Sequence, residues 1–248
     1  LILISGAADI HDDIIDQSKR KEERLTVYGK FGKDIALLVG DALLLKGFVL
    51  LNKISLEKKD VILDIIKDTF YRLGDAEALE LELRERLDVS PDVYLHVVRK
   101  KAANVEALMR IGTILGGGSD NEIDALGKYG TVLGMLFAMQ DEFVDMLDSK
   151  EFIHRVEYEC LPLPLLYALQ NPKTKEKVAR ALKEGITKRN SKKLLAAFFK
   201  TAEARDFTKT VHHLANESRK QLKKLELPSP YLELLIKVLV EKCQPLQT

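Results

Sequence analysis

Tryptophan is absent from this chain, cysteine occurs twice, and the formal charge of +1 is close to balance. Cys160 and Cys243 have no metal-ligand spacing and no partner motif, which favours a reducing, cytoplasmic setting. A charge of +1 supplies no global basic field, so nucleic acid is not an expected partner. No apolar run reaches the roughly 18 residues needed to span a bilayer, so no transmembrane segment is expected. Nor does a basic segment followed by a cleavage site mark a signal peptide. What the chain does have is an apolar fraction of 46% and a charged fraction of 31%, which suit a protein of long helices.

Helix signals run throughout. Asp34 to Leu51 carries Ile35, Leu38, Val39, Ala42 and Leu43 at three-and-four spacing, the pattern of a core-packed helix, with Gly40 and Gly47 read as sites of close packing. Ser55 to Gly74 reads as a helix capped by Ser55, and Asp75 to Leu87 as another. Ser90-Pro91 opens a helix to about Leu115, stopped by Gly116-Gly117-Gly118. Ser119 or Asp120 caps the next, to about Leu147. The Lys-rich stretch from Lys173 to Lys193 reads as two solvated amphipathic helices, and Ser229-Pro230 begins a last apolar helix through Lys242. No alternating strands, repeats or low-complexity linkers intervene. The expected fold is all-α, one domain over 1–248. Leu1-Ile2-Leu3-Ile4 looks like the interior of a helix, so an N-terminal segment is expected to be missing.

Two acidic runs carry the chemistry. His11-Asp12-Asp13-Ile14-Ile15-Asp16 and Asp141-Glu142-Phe143-Val144-Asp145 each place carboxylates four residues apart, on one face if the run is helical. A solvated helix face is the ordinary explanation for one such run. Two of them, both in apolar surroundings, read instead as a metal-diphosphate site, six carboxyl groups across an apolar cleft that cannot all stay ionised without cations. Mg²⁺ is the expected ion, with Mn²⁺ as the substitute, because it is held by a few carboxylates together with substrate phosphates.

The stretch from Ile10 to Phe48, with Thr26-Val27, Phe31-Gly32 and Gly40-Asp41-x-Leu43, resembles the first aspartate-rich region of the trans-isoprenyl diphosphate synthases. Gly134 through Asp145 is similar to their second, and Leu163-Pro164-Leu165 with Tyr167-Ala168-Leu169 to the helix start after it. The resemblance runs from Leu1 to about Gln170. It implies a bundle of mostly antiparallel helices around a central cavity, usually dimeric, with heteromers also known. It implies that Asp12, Asp13, Asp16, Asp141 and Asp145, together with Glu142, hold Mg²⁺ against an allylic prenyl diphosphate, and that Lys100 assists at the diphosphate. The allylic cation is then attacked by isopentenyl diphosphate and a proton is lost. Ala8 and Ala7, four and five residues before the first aspartate, lie where the resemblance places the cavity floor, with Phe48 as a further floor residue. Small side chains there imply a product longer than farnesyl; the competing reading is that two alanines simply permit close helix packing.

Departures from the family pattern fall on the phosphate-binding cations. Its Arg-Arg pair is Lys21-Glu22 here, with Lys19, Arg20 and Arg24 nearby, and its Lys-Thr is Lys100-Lys101. Its Phe-Gln is Phe137-Ala138, and a lysine four residues before Pro164 is Cys160. The segment from Asp148 to Pro164 reads as a short loop lacking a Gly-Lys element, and the upstream Gly-Lys-Arg element is absent. Three functions therefore stay open: a prenyl synthase, a terpene-cyclase-like enzyme ionising one prenyl diphosphate, and a non-catalytic or regulatory subunit of a heteromeric synthase. His11 reads as a packing or hydrogen-bonding residue, and His212-His213 as surface residues.

Overall fold

The computed structural model describes residues 2–21, 24–53, 57–185, 187, 201–226 and 229–243. Contacts divide the chain into two compact units, Leu1–Val61 and Ile62–Thr248. The all-α expectation holds: the strands among the described residues are the paired Arg20–Lys21 and Arg24–Leu25. The Ser55 cap and Glu22 lie outside the described residues, as does the end of the Lys-rich stretch.

In the first unit, α1 (Ile2–Ile15) leads through the hairpin to α2 (Val27–Phe31) and α3 (Lys33–Asn52). Thr26 caps α2, its hydroxyl accepting from the Gly29 N–H at 2.9 Å and donating to the Ser18 carbonyl at 2.7 Å. The α3 residues read as core are not its buried ones. Ala36, Gly40 and Gly47 are buried, whereas Ile35, Leu38 and Leu45 are exposed. The cause is the approach of α1: a Cβ on Gly40 would stand 2.5 Å from the His11 ring, and one on Gly47 2.5 Å from Ile4. The small side chains face α1, which turns the large ones outward.

The second unit takes in α4 (Lys59–Leu83) from Ile62 onward, then α5 (Pro91–Lys101), α6 (Ala103–Leu115), α7 (Asp120–Leu147), α8 (Ser149–Tyr158), α9 (Leu163–Ala168), α10 (Pro172–Glu184), α11 (Ala202–Leu222) and α12 (Pro230–Lys242). Helix α7 is its axis. It buries residues on every side, including Tyr129, Leu133, Leu136, Met139 and Phe143, and packs against α5, α6, α8, α9, α11 and α12. A helix apolar all round can only be central, and each fully buried large side chain contributes roughly 1.5–3 kcal/mol. Its start is a capping box between Ser119 and Glu122.

Three boundaries differ from the sequence expectation. Gly74 does not end a helix; α4 runs through it, one glycine costing only about 1 kcal/mol in a long helix. The helix from Ser90 breaks at Ala102, where Gly134 of α7 presses against it: a Cβ there would lie 2.8 Å from that of Ala102. The supposed loop after Asp148 is mostly α8, begun by the Asp148 carboxylate accepting from the N–H groups of Lys150 and Glu151.

Two glycine replacements test this packing. Gly130→Ala places a Cβ 2.9 Å from the Glu106 Cα and the Val105 carbonyl, so it should lower unfolding stability by about 1–3 kcal/mol despite better helix propensity. Gly74→Ala meets nothing within 4 Å and should raise stability by about 0.5–1 kcal/mol, both read from urea unfolding midpoints.

Candidate functional site

Both acidic runs close their helices. Asp12 and Asp13 occupy the last turn of α1 and Asp16 follows it; Asp145 occupies the last turn of α7, with Asp141 and Glu142 in the turn before. That end of a helix carries the negative pole of the backbone dipole, so each exposed carboxylate there costs roughly 0.3–1 kcal/mol. Runs of acids at this end call for cations.

At the first run the cation is Lys21, carried by the hairpin, its Nζ 2.9 Å from Asp13 Oδ1. Burial pushes the Asp13 carboxyl above the ordinary range, and Lys21 pulls the other way. Burial alone would lower the Lys21 ammonium, but its bond to Asp13 and the charges of Asp13, Asp12 and Asp9 hold it above its usual value. Lys21 is 56% exposed and Asp13 8%; with one partner so open to solvent, the pair is worth on the order of 1 kcal/mol. Asp12 is half-buried and Asp16 buried, while Arg20 points to solvent. His11 packs over Gly40 with Nε2 3.2 Å from Asp41. Ala7 is fully buried, and Ala8 and Phe48 are half-buried.

At the second run the cation is Arg155 of α8, a residue the sequence reading did not single out. The Asp148 cap folds α8 back, so that the guanidinium lies 2.9 Å from Asp145 Oδ2, 3.3 Å from Glu159 Oε2 and 3.8 Å from Glu142 Oε1. Glu142 is also spoken for: Tyr94 donates to it at 2.7 Å and the Leu163 N–H at 2.7 Å. Burial raises the Glu142 carboxyl against these three partners. Burial would lower the Arg155 guanidinium, but Glu159, Glu142 and Asp145 hold it far above its usual value. The Arg155 side chain is 14% exposed, and breaking a pair so enclosed costs roughly 3–5 kcal/mol. The Asp141 carboxyl is also raised, by desolvation and then by the like charge of Asp145, although its surface lies open to solvent.

The other nominated cations are occupied as well. Lys100 pairs with Asp75, and Lys101 with Glu77 at 3.2 Å and with the buried Glu80, both acids on α4. Tyr94 lies 3.3 Å from Glu80, so one buried network joins α4, α5, α7 and α8. Glu80, Tyr94, Arg155 and Glu159 were legible in the sequence only as ordinary helix residues; the Arg155/Glu159 spacing of four was the available signal. Both cysteines are free and buried, which pushes each thiol up to about 12.

The two runs differ in their fitness for a divalent ion. The first is the better candidate, since its competing cation is half exposed and Asp12, Asp13 and Asp16 follow one another at a helix end that favours positive charge. The second fits less well: both Glu142 oxygens are engaged, by Tyr94 and by the Leu163 N–H, and Asp145 Oδ2 is paired with Arg155. No group of three or more potential ligands is preassembled among the described residues.

The polyprenyl synthetase family model matches residues 3–199, so the chain belongs to the polyprenyl synthetase family. A short chain isoprenyl diphosphate synthase of Methanothermobacter thermautotrophicus is 35% identical over 152 residues, 60% of this chain and 46% of its own. A geranylgeranyl diphosphate synthase of Methanosarcina mazei is 33% identical over 157 residues, 62% of this chain and 48% of its own. The chain thus spans about half the length of these curated relatives. The fold matches geranylgeranyl pyrophosphate synthase from Corynebacterium glutamicum complexed with isoprenyl diphosphate and magnesium, at a TM-score of 0.81 and 21% identity, over 97% of this chain and 76% of that one. No helix among the described residues is long and apolar enough to cross a membrane.

The raised Glu142 carboxyl yields a pH test. Its folded value lies above the ordinary 4.5, so the folded state holds this proton more tightly than the unfolded state. The stabilisation from that proton is present in acid and lost as pH rises through the raised value. Glu142→Gln should therefore improve relative to the parent in urea unfolding as pH rises from the ordinary 4.5 through the raised value; a pH-independent difference would contradict the assignment.

Proposed function

We propose that this chain is a prenyltransferase, condensing an allylic prenyl diphosphate with isopentenyl diphosphate to give a longer all-trans prenyl diphosphate. The observation that carries this reading is the first acidic run, three carboxylates at the negative end of α1 whose resident lysine is weakly held. Membership of the polyprenyl synthetase family supports it. Asp12, Asp13 and Asp16 would hold Mg²⁺, or Mn²⁺ in its place. Once bound, the ion supplies the positive charge that allows diphosphate to depart. Lys21, released from Asp13, is then free to turn to the diphosphate. Lys100 is proposed to contact a diphosphate when its Asp75 pair opens. A working location in the cytoplasm accords with the two free thiols.

A second reading has its own observation. Lys21, Lys100 and Lys101 are each paired with an acid, which leaves the diphosphates short of cations and favours a regulatory subunit that acts only beside a partner. Incubation with Mg²⁺, isopentenyl diphosphate and a panel of allylic diphosphates separates the readings. Elongated products support the synthase; turnover only with an added synthase subunit supports the second reading. Hydrocarbon or alcohol from the allylic substrate alone marks cyclase-like chemistry.

Asp12→Ala should reduce product formation by about 10²-fold or more, the scale of losing a principal electrostatic group; near-parent activity would remove the first run from the site. Ala7→Phe tests the cavity-floor reading: a shorter prenyl product in the same assay supports it, whereas an unchanged product distribution assigns the fully buried alanine to helix packing alone. The exposed face of α3, with Leu38 at 64% and Leu45 at 67%, is proposed to be covered by a second copy of the chain. Leu38→Arg with Leu45→Arg should shift sedimentation from dimer to monomer; a monomeric parent would contradict this.

A further inference from the structure

The two acidic runs carry resident cations of unequal permanence. Lys21 reaches Asp13 from an exposed hairpin, and a divalent ion can displace it into solvent without burying or stranding any charge. Arg155 cannot leave in that way. Its guanidinium is enclosed and is shared by Asp145, Glu142 and Glu159, and its helix is fixed by the Asp148 cap that opens α8 and by the packed Phe152 one turn before it. Glu142 has in addition committed its second oxygen to the Leu163 N–H and its first to Tyr94. Arginine suits this post because its planar fork serves several carboxylates at once and its charge is permanent.

We propose that Arg155 is the built-in counter-cation of the second acidic run, a positioning residue that takes the place of a divalent ion at Asp145 and Glu142. The inference deepens the prenyltransferase reading by assigning exchangeable metal to the first run, and it rests on that reading only for the role of Asp12 and Asp16. Arg155 answers the negative pole of α7 and the charge of Asp145 and Glu142, so the second run needs no metal to remain folded. It also ties the end of α7 to α8 through Asp145 and Glu142, and Glu142 in turn holds the Leu163 start of α9 by one hydrogen bond.

Titration of the full chain with Mn²⁺ alone, followed by the loss of the free-ion electron paramagnetic resonance signal, tests this. Asp145→Asn should leave Mn²⁺ affinity and stoichiometry within about twofold of the parent, while Asp12→Asn with Asp16→Asn should abolish tight binding. Arg155→Gln should tighten binding by about tenfold or add a site, since it uncovers carboxylates at a negative helix end. Adding Asp145→Asn to Arg155→Gln should remove that gain. Should Arg155→Gln fail to fold, judged by circular dichroism, Arg155→Gln with Glu159→Gln relieves the buried charge and carries the same comparison. A loss of about tenfold in Asp145→Asn alone would overturn the proposal, since it would make Asp145 an exchangeable-metal ligand. A folded Arg155→Gln that binds Mn²⁺ as the parent does would overturn it too. Unaltered binding in Asp12→Asn with Asp16→Asn would instead count against the prenyltransferase reading and leave the Arg155 assignment standing.

Discussion

Carboxylates at the C-terminal end of a helix are a local contradiction, and both acidic runs of this protein embody it. The backbone already presents negative charge there, and stacked acids add more. Such an arrangement persists only where cations answer it. The hairpin that brings Lys21 to Asp13 and the cap that turns Arg155 back onto α7 are two answers to that one constraint. Their difference lies in solvent. An ammonium that is half exposed is exchanged cheaply; a guanidinium enclosed by three carboxylates is part of the fold.

Much of the second unit is organised by that enclosure. Helix α7 is held centrally by apolar packing, but its polar end is tied to α5 through Tyr94, to α8 through Arg155 and to α9 through the Leu163 N–H. The same network extends through Glu80 to Lys101 on α5. Buried polar groups of this kind must be satisfied together, since a partial network is worse than none. The cost of the buried acids is visible in the raised Glu142 and Glu159 carboxyls, where burial outweighs the partners. The first unit, by contrast, holds its acidic run near a hairpin whose lysine is open to water.

The sequence made the helices legible because their periods and caps are local properties. Ser90-Pro91 and the Ser119 box act within four residues, and both start helices where expected. What escaped was tertiary. The large residues of α3 follow a helical period, but the period does not say which face meets α1; the glycines decided it. Gly74 looked like a terminus because a single glycine is weak evidence either way. The acidic runs themselves stood out, since clustered carboxylates in apolar surroundings have few explanations. Arg155 did not, because its meaning depends on a turn at Asp148 that brings it back to residues ten and thirteen positions earlier. The pairing of Lys100 and Lys101 with Asp75, Glu77 and Glu80 on another helix has no local signature either.

The central claim is that the first acidic run holds a divalent ion directly against the diphosphate of a prenyl substrate. Electron-nuclear double resonance on the Mn²⁺-loaded protein with an unreactive allylic thiolodiphosphate examines that contact itself. A phosphorus-31 coupling of directly coordinated diphosphate, present in the parent and lost when Asp12 and Asp16 become Asn, is the predicted result. A coupling that survives those substitutions, or bound Mn²⁺ with no phosphorus coupling in the parent, would contradict it.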